Sequence, residues 1–289
     1  MKKIKRVAVL GANGMLGNAV VRFFAMNPDY EVYGTVRNWS SVRDLQLKAP
    51  RANFVPGVDV ESLDSLTRLF ATVKPDMVVN CIGIVKQLAD VNDPLIALPI
   101  NALLPHRLAR LTQVAGARLV HMSTDCVYSG SKGNYVEADL PDAYDLYGRS
   151  KFLGEVDYPN AITLRTSIVG HELVGNRSLI DWFLSQSGEV QGYTNAIFSG
   201  LPTVEIARII HDHVIPNPDL HGLYHVSAAP INKFELLSLV AKEYRKEIAI
   251  RAKDDFVIDR SLNSDRFRAA TGFEPEPWAE LIHRMHEFK

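Results

Sequence analysis

Cysteine is almost missing from this sequence: Cys81 and Cys126 are the only two in 289 residues. Two cysteines outside any spaced Cys/His framework exclude a disulfide scaffold and a structural zinc site. Long apolar runs are also missing, since nothing approaches the ~20 residues a transmembrane helix needs. The opening MKKIKRVAVLGANG sets basic residues before an apolar run, but VAVL is too short for a signal-peptide core and ends in glycines. Nor is there an excess of one charge: 32 Lys and Arg face 33 Asp and Glu. That balance leaves no electrostatic footprint for nucleic acid or an anionic membrane. Among the nine histidines only HDH at 211–213 has a metal-like spacing, and it falls in an amphipathic helix as exposed polar positions, so no catalytic metal is expected. A soluble chain of a reducing, cytoplasmic compartment is expected, with no nucleic-acid or membrane partner.

What is present is ordinary globular material, 47% hydrophobic and 22% charged, long enough to bury a substantial core. Short apolar runs alternate with amphipathic stretches in the first half. Strands are expected over 6–11, 31–37, 53–59, 75–84, 118–124 and 161–170. Helices are expected between them over 15–26, 63–73, 100–116 (bent or starting late at Pro105) and 147–158. Strands apolar on both faces and separated by helices indicate a parallel sheet covered on each side. The rhythm weakens after Gly170. Helices are expected at LIDWFLSQ, over 203–215, over 232–245 with Asn232 as N-cap, and over 277–288, with a strand over 222–228. The fold class is α/β: a Rossmann-type doubly wound parallel sheet with a smaller C-terminal α/β substrate domain. The expected division is 1–169 with 196–226 for the first unit and 170–195 with 227–289 for the second.

GANGMLG sets glycines at 11, 14 and 17 directly after a strand and at the start of a helix. Gly11 permits the tight turn, Gly14 lets backbone approach a pyrophosphate, and Gly17 lets helix and sheet pack closely. Asn13, Met15 and Leu16 complete the expected cofactor loop. At the end of the second strand an acid would bind a ribose 2′-hydroxyl, whereas an Arg accommodates a 2′-phosphate. Arg37 stands there without an acid beside it, which favours NADP(H) over NAD(H); a solvated arginine is the plain alternative. At the third strand's end Asp59, beside Val60, either meets an adenine amino group or caps the following helix.

STDCVYSG, Ser123 to Gly130, ends the fifth strand in hydroxyls, and YGRSK, Tyr147 to Lys151, sets a Tyr and a Lys four apart on one helix face. A nearby ammonium makes a phenol acidic enough to exchange protons at neutral pH. Thr124 is placed to hold a substrate oxygen in line with the Tyr147 hydroxyl. The set suits hydride transfer at carbon with proton transfer at oxygen. Ligands bind at strand C-termini in open α/β sheets, where all three motifs project.

With GANGMLG, STDCVYSG, YGRSKFLGE, LRTSIVG, GLYHVS and SLNSDR together, the chain resembles the extended short-chain dehydrogenase/reductases, and within them the dTDP-4-dehydrorhamnose reductase group. The resemblance implies Thr124, Tyr147 and Lys151 as catalytic trio, NADPH as hydride donor and a nucleotide-linked 4-keto-6-deoxysugar as substrate. It also implies cofactor contacts from Cys81, Ile82, Gly83 and Arg165. Asn101 matches an asparagine that orders the site, or caps its helix. Cys126 takes a position that is aromatic in the rhamnose-type reductases and an acid/base cysteine in GDP-fucose synthases. No histidine matches the second acid/base of that epimerising mechanism, so pocket shaping is favoured for Cys126, with Val127 beside it. Trp182 either stacks on the substrate or packs in the core; Arg260 and Arg266 either meet its pyrophosphate or form surface ion pairs. An epimerase, or an NADP-binding regulatory subunit like that of methionine adenosyltransferase, are the alternatives. A homodimer is the usual outcome for a soluble assembly.

Overall fold

The computed structural model describes residues 4–84 and 92–289, so Lys2 and Lys3 of the basic start lie outside it. Seven parallel strands form the central sheet in the order β3-β2-β1-β4-β5-β6-β11. They are β1 (Lys5–Leu10), β2 (Tyr30–Val36), β3 (Asn53–Pro56), β4 (Met77–Asn80), β5 (Arg118–Thr124), β6 (Ala161–Thr166) and β11 (Gly222–His225). The order reverses between β1 and β4, which opens a crevice at the strands' carboxyl ends. Val7, Ala8, Val9 and Leu10 are fully buried because helices cover both faces. Val7 and Val9 belong to the core under α1 (Met15–Met26), α8 (Thr203–Ile209) and α11 (Trp278–Glu287), whereas Ala8 and Leu10 belong to the core under α3 (Leu63–Val73) and α5 (Leu104–Ala115).

The helix expected over 100–116 is longer. It begins as α4 (Pro94–Ala97), passes through a π-helical stretch at Leu98–Leu103, and continues as α5, with Pro105 directly after the π-helical stretch as its second residue. The expected strand over 161–170 breaks at Ser167, and β7 (Ile168–Val169) pairs instead with β10 (Leu201–Pro202). The Tyr-Lys helix, α6 (Leu146–Leu153), stops at Gly154 rather than at Tyr158.

The C-terminal part holds short strands that the sequence pattern does not announce. β8 (Glu189–Tyr193) pairs with β13 (Ala249–Lys253), and β9 (Ala196–Phe198) lies between β12 (Ile231–Asn232) and β14 (Ile258–Asp259). α7 (Leu179–Ser185), α9 (Lys233–Glu243) and α10 (Asp265–Thr271) accompany them, as does α2 (Val42–Lys48) nearer the start. His211 and His213, expected as exposed polar positions, pack instead edge-on to Phe24 and Tyr30 and to Phe267 and Phe273. Among the described residues no cluster of His, Cys, Asp or Glu is arranged to hold a metal ion, and no helix is long and apolar enough to cross a membrane.

Candidate functional site

β1 leaves the sheet at Gly11, whose φ of +81° suits glycine. A methyl group at Gly17 would land on the Gly11 carbonyl oxygen, so glycine there lets α1 start against the loop. Gly14 donates to Gly11 O at 3.0 Å and takes the N-cap position with no side-chain cap. The first helical turn carries no acid, and its N–H groups have no intrahelical acceptor. Gly14, Met15 and Leu16 bring this positive helix end into the wall of a cleft of about 480 Å³. Such a cradle, closed to side chains at Gly11 and Gly17 and open at Gly14, fits a dinucleotide pyrophosphate. Asn13 is exposed at the loop tip, outside that wall.

Cys81, Ile82 and Gly83 follow β4 and line the same cleft. Asn101, buried in the π-helical stretch, grips their exit: its Oδ1 accepts from Ile84 N at 2.9 Å, and its Nδ2 donates to Ile84 O at 3.2 Å and Ser150 Oγ at 3.1 Å. It stands behind the wall and ties the β4 exit to α6; it is not an N-cap. Burial pushes the Cys81 thiol up to about 12, so it stays protonated.

Thr124, Tyr147 and Lys151 meet on the cleft. Asp145 caps α6 by accepting from Gly148 N at 2.7 Å. A side chain at Gly148 would strike Ala143 and the Cys126 carbonyl, so glycine lets α6 press against the hydroxyl turn. Tyr147 and Thr124 are hydrogen-bonded through their side chains. Lys151 is buried and donates from Nζ to Met122 O at 2.7 Å. Burial lowers its ammonium to about 8, with Glu155 and Cys81 opposing. The Tyr147 phenol is raised above its ordinary value, first by burial and then by the Cys126 thiol, with Thr124 opposing. Burial therefore outweighs any lowering by Lys151, and the phenol stays above its ordinary value rather than below it.

Not every expected contact residue lines the cleft. Arg165 does not face the cleft: Nη2 and Nε bind Glu155 at 2.5 and 2.8 Å, and Nη1 reaches the Tyr128 hydroxyl at 2.5 Å and His225 Nε2 at 2.8 Å. A fully buried guanidinium needs such partners, and the residues after it, Thr166 to Ile168, line the cleft instead. Val127 is fully buried against Tyr128, Tyr135 and Leu262, and Val60 is core under α3; apolar packing claims both. Asp59 accepts from Glu61 N at 3.0 Å, the local turn role. Trp182 is 38% exposed on α7, outside the cleft wall. Arg260 donates to the carbonyls of Tyr128 at 2.8 Å and Ser129 at 3.3 Å, pinning β14 to the hydroxyl turn. Arg37 is exposed at the end of β2, beyond the cleft wall. Cys126 does line the cleft, as expected of a pocket-shaping residue, and its thiol hydrogen-bonds Asp125.

Asp125 is the residue that motif reading passed over. Its carboxylate is buried and accepts from Thr124 Oγ1 at 3.2 Å as well as from the Cys126 thiol. Burial raises its pKa, with Arg260 and Lys233 among the groups opposing. Thr124 has one hydroxyl proton, for which the Asp125 carboxylate and the phenol oxygen compete, while its oxygen accepts from Cys126 N at 3.1 Å. An acid inside a hydroxyl-rich turn was the available signal. Glu172, Arg177 and Ser178 also line the cleft, from an irregular segment whose pattern gives no such sign.

The model of the RmlD substrate binding domain matches residues 5–287. The chain is 27% identical over 254 residues to the methionine adenosyltransferase 2 subunit beta of Danio rerio, covering 83% of this chain and 74% of that protein. It is 31% identical over 166 residues to a probable low-salt glycan biosynthesis reductase, Agl14, of Haloferax volcanii, covering 56% of this chain and 52% of that one. The crystal structure of dTDP-4-dehydrorhamnose reductase from Bacillus anthracis in complex with NADP superposes with a TM-score of 0.79 at 22% identity, over 98% of this chain and 99% of that one. The fold is therefore that of the nucleotide-sugar reductases and epimerases. The chain belongs to the RmlD substrate binding domain family.

Proposed function

We propose that this protein is an NADPH-dependent reductase of a nucleotide-linked 4-keto-6-deoxysugar, of the dTDP-4-dehydrorhamnose reductase kind. The observation that carries the reading is the meeting of Thr124, Tyr147 and Lys151 on a cleft whose other end is the uncapped start of α1. A bound nicotinamide would supply the hydride. The protein's residues handle the proton and the oxygen. Tyr147, which burial keeps protonated, gives its hydroxyl proton to the carbonyl oxygen as negative charge develops there. Thr124 turns its hydroxyl to the same oxygen and holds it in line. Lys151, anchored on Met122 O, offsets the charge left on the phenolate. Arg37 at the end of β2 supports NADP(H) over NAD(H).

The reading includes a cytoplasmic homodimer serving polysaccharide precursor synthesis. It keeps the division into a cofactor unit (1–169 with 196–226) and a substrate unit (170–195 with 227–289), with one change: the pairing of β9 with β12 and β14 supports moving 196–198 to the substrate unit. The test is NADPH consumption with dTDP-4-dehydrorhamnose. One NADPH lost per sugar reduced supports the reductase; sugar conversion without net loss means an epimerase, which returns its hydride. The likeness to a methionine adenosyltransferase subunit favours one further reading, an NADP-binding regulatory subunit. A stoichiometric copurifying protein and no sugar turnover would establish that instead.

A further inference from the structure

Two carboxylates close the turn that runs from β7 to α7. At its base Asp181 accepts from Glu172 N at 2.6 Å and from His171 Nδ1 at 2.6 Å, and His171 Nε2 meets the Tyr244 hydroxyl at 2.7 Å. Within the turn Glu172 Oε2 accepts from Arg177 N at 2.7 Å, and Gly175 reverses the chain with a φ of +111°. Ser178 then caps α7 by accepting from Asp181 N at 3.3 Å. So braced, the turn puts Glu172, Arg177 and Ser178 into the wall of the cleft that holds Thr124, Tyr147 and Lys151. Among the described residues these three are what the proposed substrate unit contributes to that wall.

Among the described residues the charged side chains lining the cleft are Asp125, Lys151, Glu172 and Arg177. The first three are engaged. Asp125 accepts from Thr124 and the Cys126 thiol, Lys151 donates to Met122 O, and Glu172 accepts from a backbone amide. The Arg177 guanidinium makes no hydrogen bond or ion pair, because Glu172 is bonded to the Arg177 amide instead. The unspent charge of the wall is therefore positive, and it stands on the substrate unit. The arginines expected at a substrate pyrophosphate are committed elsewhere: Arg260 to the carbonyls of Tyr128 and Ser129, and Arg266 over the Tyr224 ring at 4.7 Å. Neither lines the cleft. The start of α1 suits the pyrophosphate of the cofactor, which leaves a second diphosphate to be met from the opposite wall. A guanidinium offers the paired N–H donors that match phosphate oxygens. We propose that Arg177 binds the diphosphate of the nucleotide-linked sugar, making it a specificity residue for the substrate and not for the cofactor. The proposal rests on the reductase reading and adds to it the residue that recognises the substrate's charged group.

The experiment uses wild type, Arg177→Met and Arg177→Lys. It measures the dissociation constants of NADPH and, with NADPH saturating, of dTDP, UDP and GDP, together with kcat and KM for dTDP-4-dehydrorhamnose. Arg177→Met should weaken whichever diphosphate wild type binds by about tenfold, the low end for a hydrogen bond to a charged group because the side chain is exposed. KM should rise by a similar factor with kcat within about twofold, since the contact is made equally in ground and transition states. Added salt should narrow the gap between the two proteins. Arg177→Lys, which keeps the charge and loses the fork, should recover part of the loss. NADPH affinity should be unchanged in both variants. Diphosphate binding and KM within about twofold of wild type would overturn the proposal while leaving the reductase reading standing. So would an equal loss of NADPH affinity, which would assign Arg177 to the cofactor. If wild type binds none of the three diphosphates and reduces no sugar, the reductase reading falls and the proposal with it. Should Arg177→Met fail to fold, Arg177→Gln is read by the same criteria.

Discussion

Glu155→Gln should destabilise the protein far more than loss of one surface ion pair. Glu155 and Arg165 have side chains 8% and 1% exposed and are joined at 2.5 Å. Glu155 Oε1 also accepts from Ser123 Oγ at 2.6 Å, and Arg165 Nη1 is shared by Tyr128 and His225. Neutralising Glu155 leaves a guanidinium charge buried without its counter-ion, a loss of about 3–5 kcal/mol where an exposed pair would cost under about 1. Against a total stability of about 5–15 kcal/mol that is about a fifth or more of the margin. The drop in Tm should be about 10 °C, taking about 2–4 °C per kcal/mol for a chain of this size. Urea unfolding followed by circular dichroism measures it, and because the pair is buried the deficit should barely change with added salt. The double variant Glu155→Leu with Arg165→Met, which removes both charges, should regain much of the loss. A Glu155→Gln protein within about 1 kcal/mol of wild type would refute the reasoning.

Three other outcomes are expected. Gly17→Ala drives a methyl into the Gly11 carbonyl, so calorimetric titration should find NADPH binding weakened by about 1–3 kcal/mol; wild-type affinity would contradict the loop's role. Arg37→Asp should shift the ratio of NADPH to NADH dissociation constants by about 1.5–3 kcal/mol towards NADH, and an unchanged ratio would remove Arg37 from cofactor choice. His225, brought down to about 3 by burial and Arg165, and His121, brought well below its usual value, bind protons in the unfolded chain but not in the folded one. Stability should therefore fall as pH drops below about 6.5, each contributing up to about 1.4 kcal/mol per pH unit. Urea unfolding at stepped pH shows the slope, His225→Gln should reduce it, and a flat profile would contradict the assignment.

The first half of the fold was legible because its signals are local. GANGMLG carries its own strand, turn and helix start, and the buried strands read as unbroken apolar runs. YGRSK announced the Tyr-Lys pair through its spacing together with its place after the glycine loop and the hydroxyl-ended strand. Long-range partnership was not legible. Arg165 looks like a cofactor contact from its place in LRTSIVG, yet Glu155, ten residues earlier, claims it. Val127 and Val60 stand next to polar motif residues, and only the packed core shows that they point inward. The short strands of the C-terminal part, such as Ile231–Asn232 and Ile258–Asp259, are two residues long and stabilised by neighbours from distant sequence, so no periodicity can mark them.

The most direct test is Tyr147→Phe, with NADPH binding and turnover of dTDP-4-dehydrorhamnose measured on the same preparation. Because the change removes only the hydroxyl, cofactor affinity should stay close to wild type while kcat falls by about two to four orders of magnitude, the range for loss of a general acid. Near-normal kcat in that variant would contradict the account, because the proton would then be coming from somewhere other than Tyr147.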